Sequence, residues 1–150
     1  MNIIIEHANF SDLKQVAKLF DAYRQFYKQK SDETKAFAFL KERTEHQQSI
    51  LFIAKNIDSD EILGFTQLYP VFSSISMERS YILNDLFVHP DFRKLKIADR
   101  LVQKAKDYCI FMKGKGLELS TASDNLIAQG LYNKHGFVKE ESFWTYFWKS

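Results

Sequence analysis

The chain has 150 residues, of which 45% are hydrophobic and 27% are charged. This composition is typical of a soluble globular domain and excludes a disordered chain, because the apolar surface that it can bury offsets the entropy lost on folding. A formal net charge of +2 is too balanced for a protein whose main role is to coat nucleic acid. No apolar run approaches the roughly 18 residues of a membrane span. We therefore expect a single domain over residues 1–150, with neither nucleic acid nor a membrane as partner.

Cys109 is the only cysteine of the chain. A single thiol forms neither an intramolecular disulfide nor a cysteine-based zinc site, and this is typical of proteins from reducing compartments. The N-terminus has only three consecutive apolar residues and no basic leader. We predict a cytoplasmic protein and assign no residue to a metal.

In the first half of the chain, apolar spacing predicts one strand, two helices, and then two strands joined by a hairpin. The first helix follows from an apolar face that recurs every three or four residues behind a cap at residues 9–11. The strands follow from runs of β-branched and aromatic residues on either side of a polar turn. These predicted elements are a strand at 3–6, a helix from about 13, a helix over about 32–45, and strands over 49–56 and 61–72.

In the second half, a strand over residues 81–88 stops at Pro90, and a helix runs from about Ile97 to the glycines at 114–116. A short strand at 117–123 follows, and then a helix that Asn125 caps and Gly136 ends. The last predicted strand is "FWTYFWK". This order predicts an α/β domain, in which helices cover a mixed sheet that is antiparallel in its middle and has a crossover near its end.

The predicted terminal strand places aromatic residues on both of its faces, at Phe143, Trp144, Phe147 and Trp148. Both faces therefore require cover. A homodimer in which the terminal strands pack or exchange across a two-fold axis provides it. The alternative is a central strand that is covered within its own monomer.

Basic residues are concentrated where the strand at 81–88 gives way to a helix. Arg93, Lys94 and Lys96 lie just before the first turn of this helix. Backbone N–H groups there have no partner within the helix, and the peptide dipoles favour negative charge. This combination suits a pyrophosphate. The alternative is that the three side chains are solvated surface charges.

Two segments resemble motifs of the GNAT superfamily of N-acetyltransferases. Val88 and Pro90, followed by the residues from Arg93 to Ala98, resemble a signature of V-x-P and then R/Q-x-x-G-x-G/A, with Lys96 standing at the first glycine. Downstream, "SDNLIAQGLYNKHGF" resembles a second motif of the form N-x-x-A-x-x-L-Y-x-x-x-G-F. The residues in register with this second motif are Asn125, Ala128, Leu131, Tyr132, Gly136 and Phe137.

The resemblance implies a GNAT-like, mostly antiparallel sheet flanked by helices, in which the strand at 81–88 splays from a parallel neighbour at 117–120. An acyl-CoA cleft then lies at the splay. The resemblance also implies acetyl-CoA as co-substrate and direct attack by a primary amine of a small molecule in a ternary complex. The residues that it assigns to acetyl-CoA are Leu86, Phe87, Val88, Arg93, Lys94, Leu95, Lys96, Ile97, Ala98 and Asn125.

Two residues are candidates for proton transfer. The resemblance assigns Tyr132 as the general acid that protonates the departing thiolate, the alternative being a core aromatic on the last helix. An alkyl ammonium has a pKa near 10.4 and must lose a proton before it attacks, so a base is required, and Asp85 is the candidate closest in sequence to the cleft. Strand alternation places Asp85 on the face of Leu83 and Phe87 and Asn84 on the other. A buried Asp85 held by backbone N–H groups is the alternative.

The resemblance builds the acceptor site from the first two helices and the segment before the strand at 81–88. We assign Tyr23, Tyr27 and Asn84 to it, because aromatic surface with a few polar groups suits a small amine with an apolar or cationic body. Two alternatives remain open. One is a protein or peptide amine as acceptor, and the other is a non-catalytic acyl-CoA-binding sensor or interaction module.

Overall fold

The protein is described by a computed structural model that covers residues 1–150. Its backbone contacts divide it into two units, residues 1–120 and residues 121–150. None of its helices is long and apolar enough to cross a membrane. The elements in chain order are β1 (Ile3–His7), α1 (Leu13–Phe26), α2 (Glu33–Glu45), β2 (Ile50–Asn56), β3 (Glu61–Ser73), β4 (Glu78–Val88), α3 (Ile97–Phe111), β5 (Leu117–Glu118) and α4 (Leu126–Lys134).

The first unit is built on one five-stranded sheet of order β1-β2-β3-β4-β5. All neighbours in it are antiparallel except β4 and β5, which are parallel. On one face, the apolar sides of α1 and α2 pack against Phe65 and Phe87 in a continuous core. On the other face, the Tyr108 ring of α3 contacts the rings of Phe52 and Tyr81. The predicted fold class is confirmed, since helices cover a mixed, mostly antiparallel sheet.

A β-bulge at Asn84 interrupts β4. Gln67 and Leu68, which are consecutive on β3, pair with Asp85 and Leu83, so Asn84 has no register partner. Directly opposed residues share a face and consecutive residues of a strand do not, so Asp85 and Leu83 lie on opposite faces of the sheet. The prediction that they share a face was therefore wrong. The bulge turns Asp85 toward the side of α1 and α2.

A buried ion pair joins the start of α1 to the sheet. The Lys55 ammonium on β2 lies 2.8 Å from an Asp12 carboxylate oxygen, and the two residues are 8% and 5% exposed. The same carboxylate accepts the backbone N–H of Asn9 at 2.7 Å. The hydrogen bond that the Lys55 ammonium donates to Asp12 is the main reason that the pKa of Lys55 is raised. The Lys55 ammonium therefore keeps its proton at neutral pH.

Asp12→Ala should destabilise the protein by about 3–5 kcal/mol, because it leaves the Lys55 ammonium buried beside weaker partners. The measurement is urea-induced unfolding at pH 7. Glu6→Ala is the matched control: its carboxylate lies 3.5 Å from the same ammonium but its side chain is 38% exposed. We expect it to cost less than about 1 kcal/mol. Equal, small losses for both variants would show that Lys55 is solvated rather than dependent on Asp12.

The second unit contains α4 and the C-terminal residues. The Asn125 side chain accepts the N–H of Ala128 at 3.2 Å and so caps the helix, while Gly136 ends it at a φ of 85°. Both predicted ends of this helix are confirmed.

Residues 138–150 form no strand, and every one of them is exposed. The predicted terminal strand is therefore wrong for the single chain, although its composition favours a strand. A β-strand is stabilised by a partner backbone, and the five-stranded sheet includes no residue of this segment. The strand at 117–123 is likewise shorter than predicted and pairs only at Leu117–Glu118.

Candidate active site

The first part of the site is a cleft where β4 and β5 separate. Their pairing consists of Tyr81 with Leu117 and Ile82 with Glu118, whereas β4 continues to Val88. Beyond Ile82, β4 is paired only with β3, so the backbone on its other edge is available to a ligand. The predicted splay of the parallel pair is confirmed, and it exposes the edge of the segment that contains Leu86, Phe87 and Val88.

The turn after β4 presents backbone N–H groups and positive charge at one place. Lys94 and Lys96 both have left-handed backbones, with φ of 64° and 59°. Lys96 is the N-cap residue of α3, and its side chain makes no capping hydrogen bond. The N–H groups of the first turn, from Ile97 onward, are therefore left for an anion. Lys96 thus adopts the glycine-like conformation at the position where the resembled signature has a glycine.

Arg93 contacts the end of β4 from this turn. Its Nε donates to the carbonyl oxygen of Val88 at 3.3 Å, and its guanidinium lies 5.7 Å from the centroid of the Phe87 ring. The side chain therefore ties the turn to the end of β4. Ile97 is 1% exposed, so its side chain belongs to the core. What it can offer a ligand at the turn is therefore its backbone N–H. The exposed ammonium groups of the turn are those of Lys94 and Lys96.

The second part of the site is a pocket of about 330 Å³ on the α1 and α2 side of the sheet. It brings together the predicted residues Tyr23, Tyr27, Asn84 and Asp85. Sequence reasoning did not assign Phe39 of α2 or Tyr69 of β3 to the site. The position of Tyr69 follows only from the strand register, in which it lies opposite Ile82 of β4. The complete lining is Phe20, Tyr23, Arg24, Tyr27, Gln29, Phe39, Tyr69, Asn84 and Asp85.

Asp85 is the buried charge of this pocket, with 3% of its surface exposed. The Gln67 side-chain amide donates to Oδ2 at 2.6 Å, and the Asn84 amide donates to Oδ1 at 3.2 Å. Side-chain amides, rather than the backbone N–H groups considered above, hold the carboxylate. Burial raises the pKa of Asp85, and the hydrogen bonds from Gln67, Tyr23 and Asn84 only partly oppose this effect. A carboxylate with a raised pKa is a stronger proton acceptor.

Tyr69 and Gln67 complete the polar environment of Asp85. Burial, with the negative charge of Asp85 as a second cause, raises the pKa of Tyr69 to about 12, so its hydroxyl stays protonated at neutral pH. The Oε1 atom of Gln67 is buried and has no hydrogen-bond partner. The amide nitrogen of Gln67 faces Asp85, and a half-turn of that amide would exchange this donor for the oxygen acceptor.

Tyr23 connects α1 to the bulge. Its hydroxyl donates to the carbonyl oxygen of Asn84 at 3.3 Å, and its ring lies 5.1 Å from the Tyr27 ring and 6.2 Å from the Phe87 ring. The aromatic wall and the bulge therefore hold each other in place.

The second unit carries the two remaining predicted residues. Tyr132 is half-buried on α4, and its ring lies 5.7 Å from that of Phe137. Asn125 uses its side-chain oxygen to cap the same helix. This confirms the capping role of Asn125, whereas the roles of both residues toward acetyl-CoA stay predictions.

Comparisons with known proteins agree with this geometry. The model of the acetyltransferase (GNAT) family matches residues 13–137. The chain is 46% identical over 139 residues to the uncharacterized N-acetyltransferase YhfO of Bacillus subtilis (strain 168), covering 93% of this chain and 92% of the relative. It is 31% identical to a probable acetyltransferase of Haemophilus influenzae, covering 88% and 84% of the two chains. The crystal structure of a probable acetyltransferase, 35% identical, superimposes with a TM-score of 0.92 over 100% of this chain and 98% of the other. The chain belongs to the GNAT family and is an acetyltransferase.

Proposed function

We propose that the protein transfers the acetyl group of acetyl-CoA to the primary amine of a small molecule bound in the pocket above Asp85. The observation that carries this proposal is a buried carboxylate with a raised pKa, which the β4 bulge turns into an aromatic pocket. The pocket supplies a proton acceptor for the amine, and the neighbouring cleft supplies free strand backbone and an uncapped helix for the acyl donor.

The chemistry of the pocket favours an amine over other acceptors. Aromatic faces and one carboxylate attract a cation, so an ammonium group is drawn in and then loses its proton to Asp85. A volume of about 330 Å³ is at the lower end of the range for small-molecule sites. This favours a small molecule over a protein or peptide amine.

The cleft residues fit an acyl-CoA. Free backbone along 86–88 suits the pantetheine arm, and the first-turn N–H groups of α3, with Lys94 and Lys96, suit the phosphates. Acetyl-CoA supplies the activated acetyl thioester. We further propose that Asn125 contacts the bound donor and that Tyr132 donates a proton to the departing thiolate.

A cytoplasmic location belongs to the same proposal, supported by the lone, buried thiol of Cys109.

Lys96→Glu should raise the dissociation constant for CoA by about tenfold or more at fixed salt, because it places a negative charge at the expected phosphate site. Calorimetric titration with CoA measures this. Lys113→Glu is the matched control, since Lys113 is also exposed with a left-handed backbone, at a φ of 56°, but lies beyond the other end of α3. Its affinity should stay within twofold of the wild type. Equal affinities for both variants would remove Lys96 from the donor site.

The test of function is thiol release from acetyl-CoA, followed with a chromogenic disulfide, across a panel of polyamines, amino acids, aminoglycosides and short peptides. We expect one class of small amines to stimulate release, and mass spectrometry of that amine to show one added acetyl group. Stimulation by peptides alone would overturn the small-molecule assignment. CoA binding without release by any amine of the panel would favour the non-catalytic binding module.

A further inference from the structure

The pocket beside Asp85 contains side-chain charge of both signs. Of the residues that line it, only Asp85 and Arg24 are charged. Asp85 on β4 is 3% exposed, and the Arg24 side chain on α1 is 27% exposed. The other walls are aromatic rings and the side-chain amides of Gln29 and Asn84. A ligand that fills this pocket of about 330 Å³ therefore meets one negative and one positive group.

The guanidinium of Arg24 is held in place through one of its nitrogens. Its Nη1 atom donates to the carbonyl oxygen of Lys30 at 3.1 Å and lies 3.5 Å from Oδ1 of Asp21. Nη2 and Nε make no hydrogen bond within the chain. These two nitrogens form an edge of the guanidinium that binds a carboxylate through two parallel hydrogen bonds. The side chain is therefore fixed in position and still has an edge available to a ligand.

Asp21 does not occupy that edge. It is 3% exposed and lies outside the lining of the pocket. Its carboxylate has closer partners, since it accepts the Ser31 hydroxyl at 2.6 Å and the backbone N–H of Asp32 at 2.7 Å. The 3.5 Å contact with Arg24 is longer than a charge-assisted hydrogen bond of about 2.7–2.9 Å. Asp21 therefore positions Arg24, and a ligand in the pocket meets the guanidinium.

Two fixed charges of opposite sign discriminate among amines. The negative charge of Asp85 attracts an ammonium group, whereas that of Arg24 repels a second ammonium on the same molecule and attracts an anion. Polyamines and aminoglycosides carry several positive charges and are therefore disfavoured. An amine that also carries a carboxylate satisfies both charges, and one without it leaves the guanidinium edge without a partner.

We propose that the acceptor is a molecule of the amino acid class, whose carboxylate pairs with Arg24 while its amine lies at Asp85. This inference rests on the proposed function and names the class of its substrate. Arg24 is then a residue that determines specificity in the acceptor pocket. The aromatic walls cover the apolar part of the bound molecule.

Matched pairs of acceptors test the carboxylate. Each pair is an amino acid and the amine in which hydrogen replaces its carboxylate, such as phenylalanine with phenethylamine, leucine with isopentylamine, and β-alanine with ethylamine. For the best pair, kcat/KM of the wild type should be about 10–100-fold higher for the amino acid, the usual value of a hydrogen bond to a charged group. Putrescine and spermidine should be poorer acceptors than that amino acid.

Arg24→Gln should reduce this ratio to about one, mainly by raising KM for the amino acid. Arg24→Lys should keep part of the ratio, because it retains the charge and loses the paired donors. Damage to the fold would instead lower both rates and leave the ratio unchanged. Arg79→Gln is the matched control, since Arg79 is an exposed arginine of β4 beside the Phe72 ring and outside the pocket lining. It should keep the wild-type ratio.

Binding tests Arg24 without turnover. The amino acid is titrated calorimetrically in the presence of CoA, which has no acetyl group to transfer. Its dissociation constant should rise about tenfold or more in Arg24→Gln and stay within twofold in Arg79→Gln. Binding of this kind without thiol release would support the role of Arg24 and overturn the proposed transfer.

Three results would overturn the inference. One is thiol release that polyamines or simple amines stimulate as well as the matched amino acids, and this would leave transfer to a small amine standing. The second is an Arg24→Gln variant that keeps the wild-type ratio. The third is calorimetry in which no amino acid binds, or in which each binds no more tightly than its matched amine.

Discussion

Asp85→Asn is expected to lower kcat/KM by about 10²–10⁴-fold, the usual contribution of a positioned general base. The variant keeps the shape of the pocket and removes the proton acceptor. Initial rates of thiol release, measured with the amine that the panel identifies, give the value. CoA affinity should be unchanged, because Asp85 lies on the α1 and α2 side of the sheet, and this separates lost chemistry from lost donor binding.

The pH profile of kcat/KM gives a second, independent test of whether Asp85 acts as the base. A base must be ionised to act, so kcat/KM of the wild type should rise through the pKa of Asp85, which burial places above the ordinary carboxyl value of about 4. The asparagine variant should lose that acidic limb. A variant that binds CoA, keeps near-normal turnover and retains the limb would show that Asp85 is structural.

The same substitution should not unfold the protein. Because the folded pKa of Asp85 is raised, the folded state binds more protons than the unfolded state between the two pKa values, and stability falls as pH rises through that window. Above that window the buried, ionised carboxylate costs stability, and its neutral amide analogue avoids that cost. Gln67 can turn its amide so that the otherwise unpartnered Oε1 accepts from the new asparagine. A Tm at or above the wild-type value at pH 7 is the expected result.

Tyr132→Phe is expected to lower kcat by about 10²-fold or more if the hydroxyl protonates the departing thiolate. An ordinary phenol has a pKa near 10 and carries its proton at neutral pH. Phenylalanine keeps the ring beside Phe137, so CoA affinity should remain that of the wild type. The measurement is steady-state thiol release with saturating acetyl-CoA and amine.

The basic side of the pH profile separates an acid from a packing residue. A reaction that needs a general acid declines at high pH, so the wild type should show this decline and the phenylalanine variant should lack it. Near-normal turnover of the variant, with the decline still present, would assign Tyr132 to helix packing alone.

Much of the fold was predictable from the sequence because its signals are local. The apolar spacing of α1 and α3, the β-branched run of β2 and the caps of α4 each lie within a few residues of the element that they specify. The basic turn was predictable for the same reason, since strand end, Pro90 and helix start are adjacent in the chain. The family resemblance then linked this turn to an acyl donor.

Only the tertiary structure decided how the pocket is made. Strand alternation alone grouped Asp85 with both Leu83 and Phe87, and only Phe87 shares its face. The bulge at Asn84 arises from pairing with β3 and cannot be read from the sequence of β4 alone. The raised pKa of Asp85 and the aromatic walls from α1, α2 and β3 come from residues distant in sequence. Likewise, the left-handed backbone of Lys96 could not be predicted from the residue type, because residues other than glycine rarely adopt it.

By itself, the sequence therefore determined the order of the elements, the family and the place of the basic turn, all of which depend on neighbouring residues. The tertiary structure decided which face Asp85 occupies, which side chains enclose it, and that the aromatic C-terminus forms no strand in the single chain. Those outcomes depend on strand register and on the presence of a partner, and both are set by pairing between segments far apart in the chain.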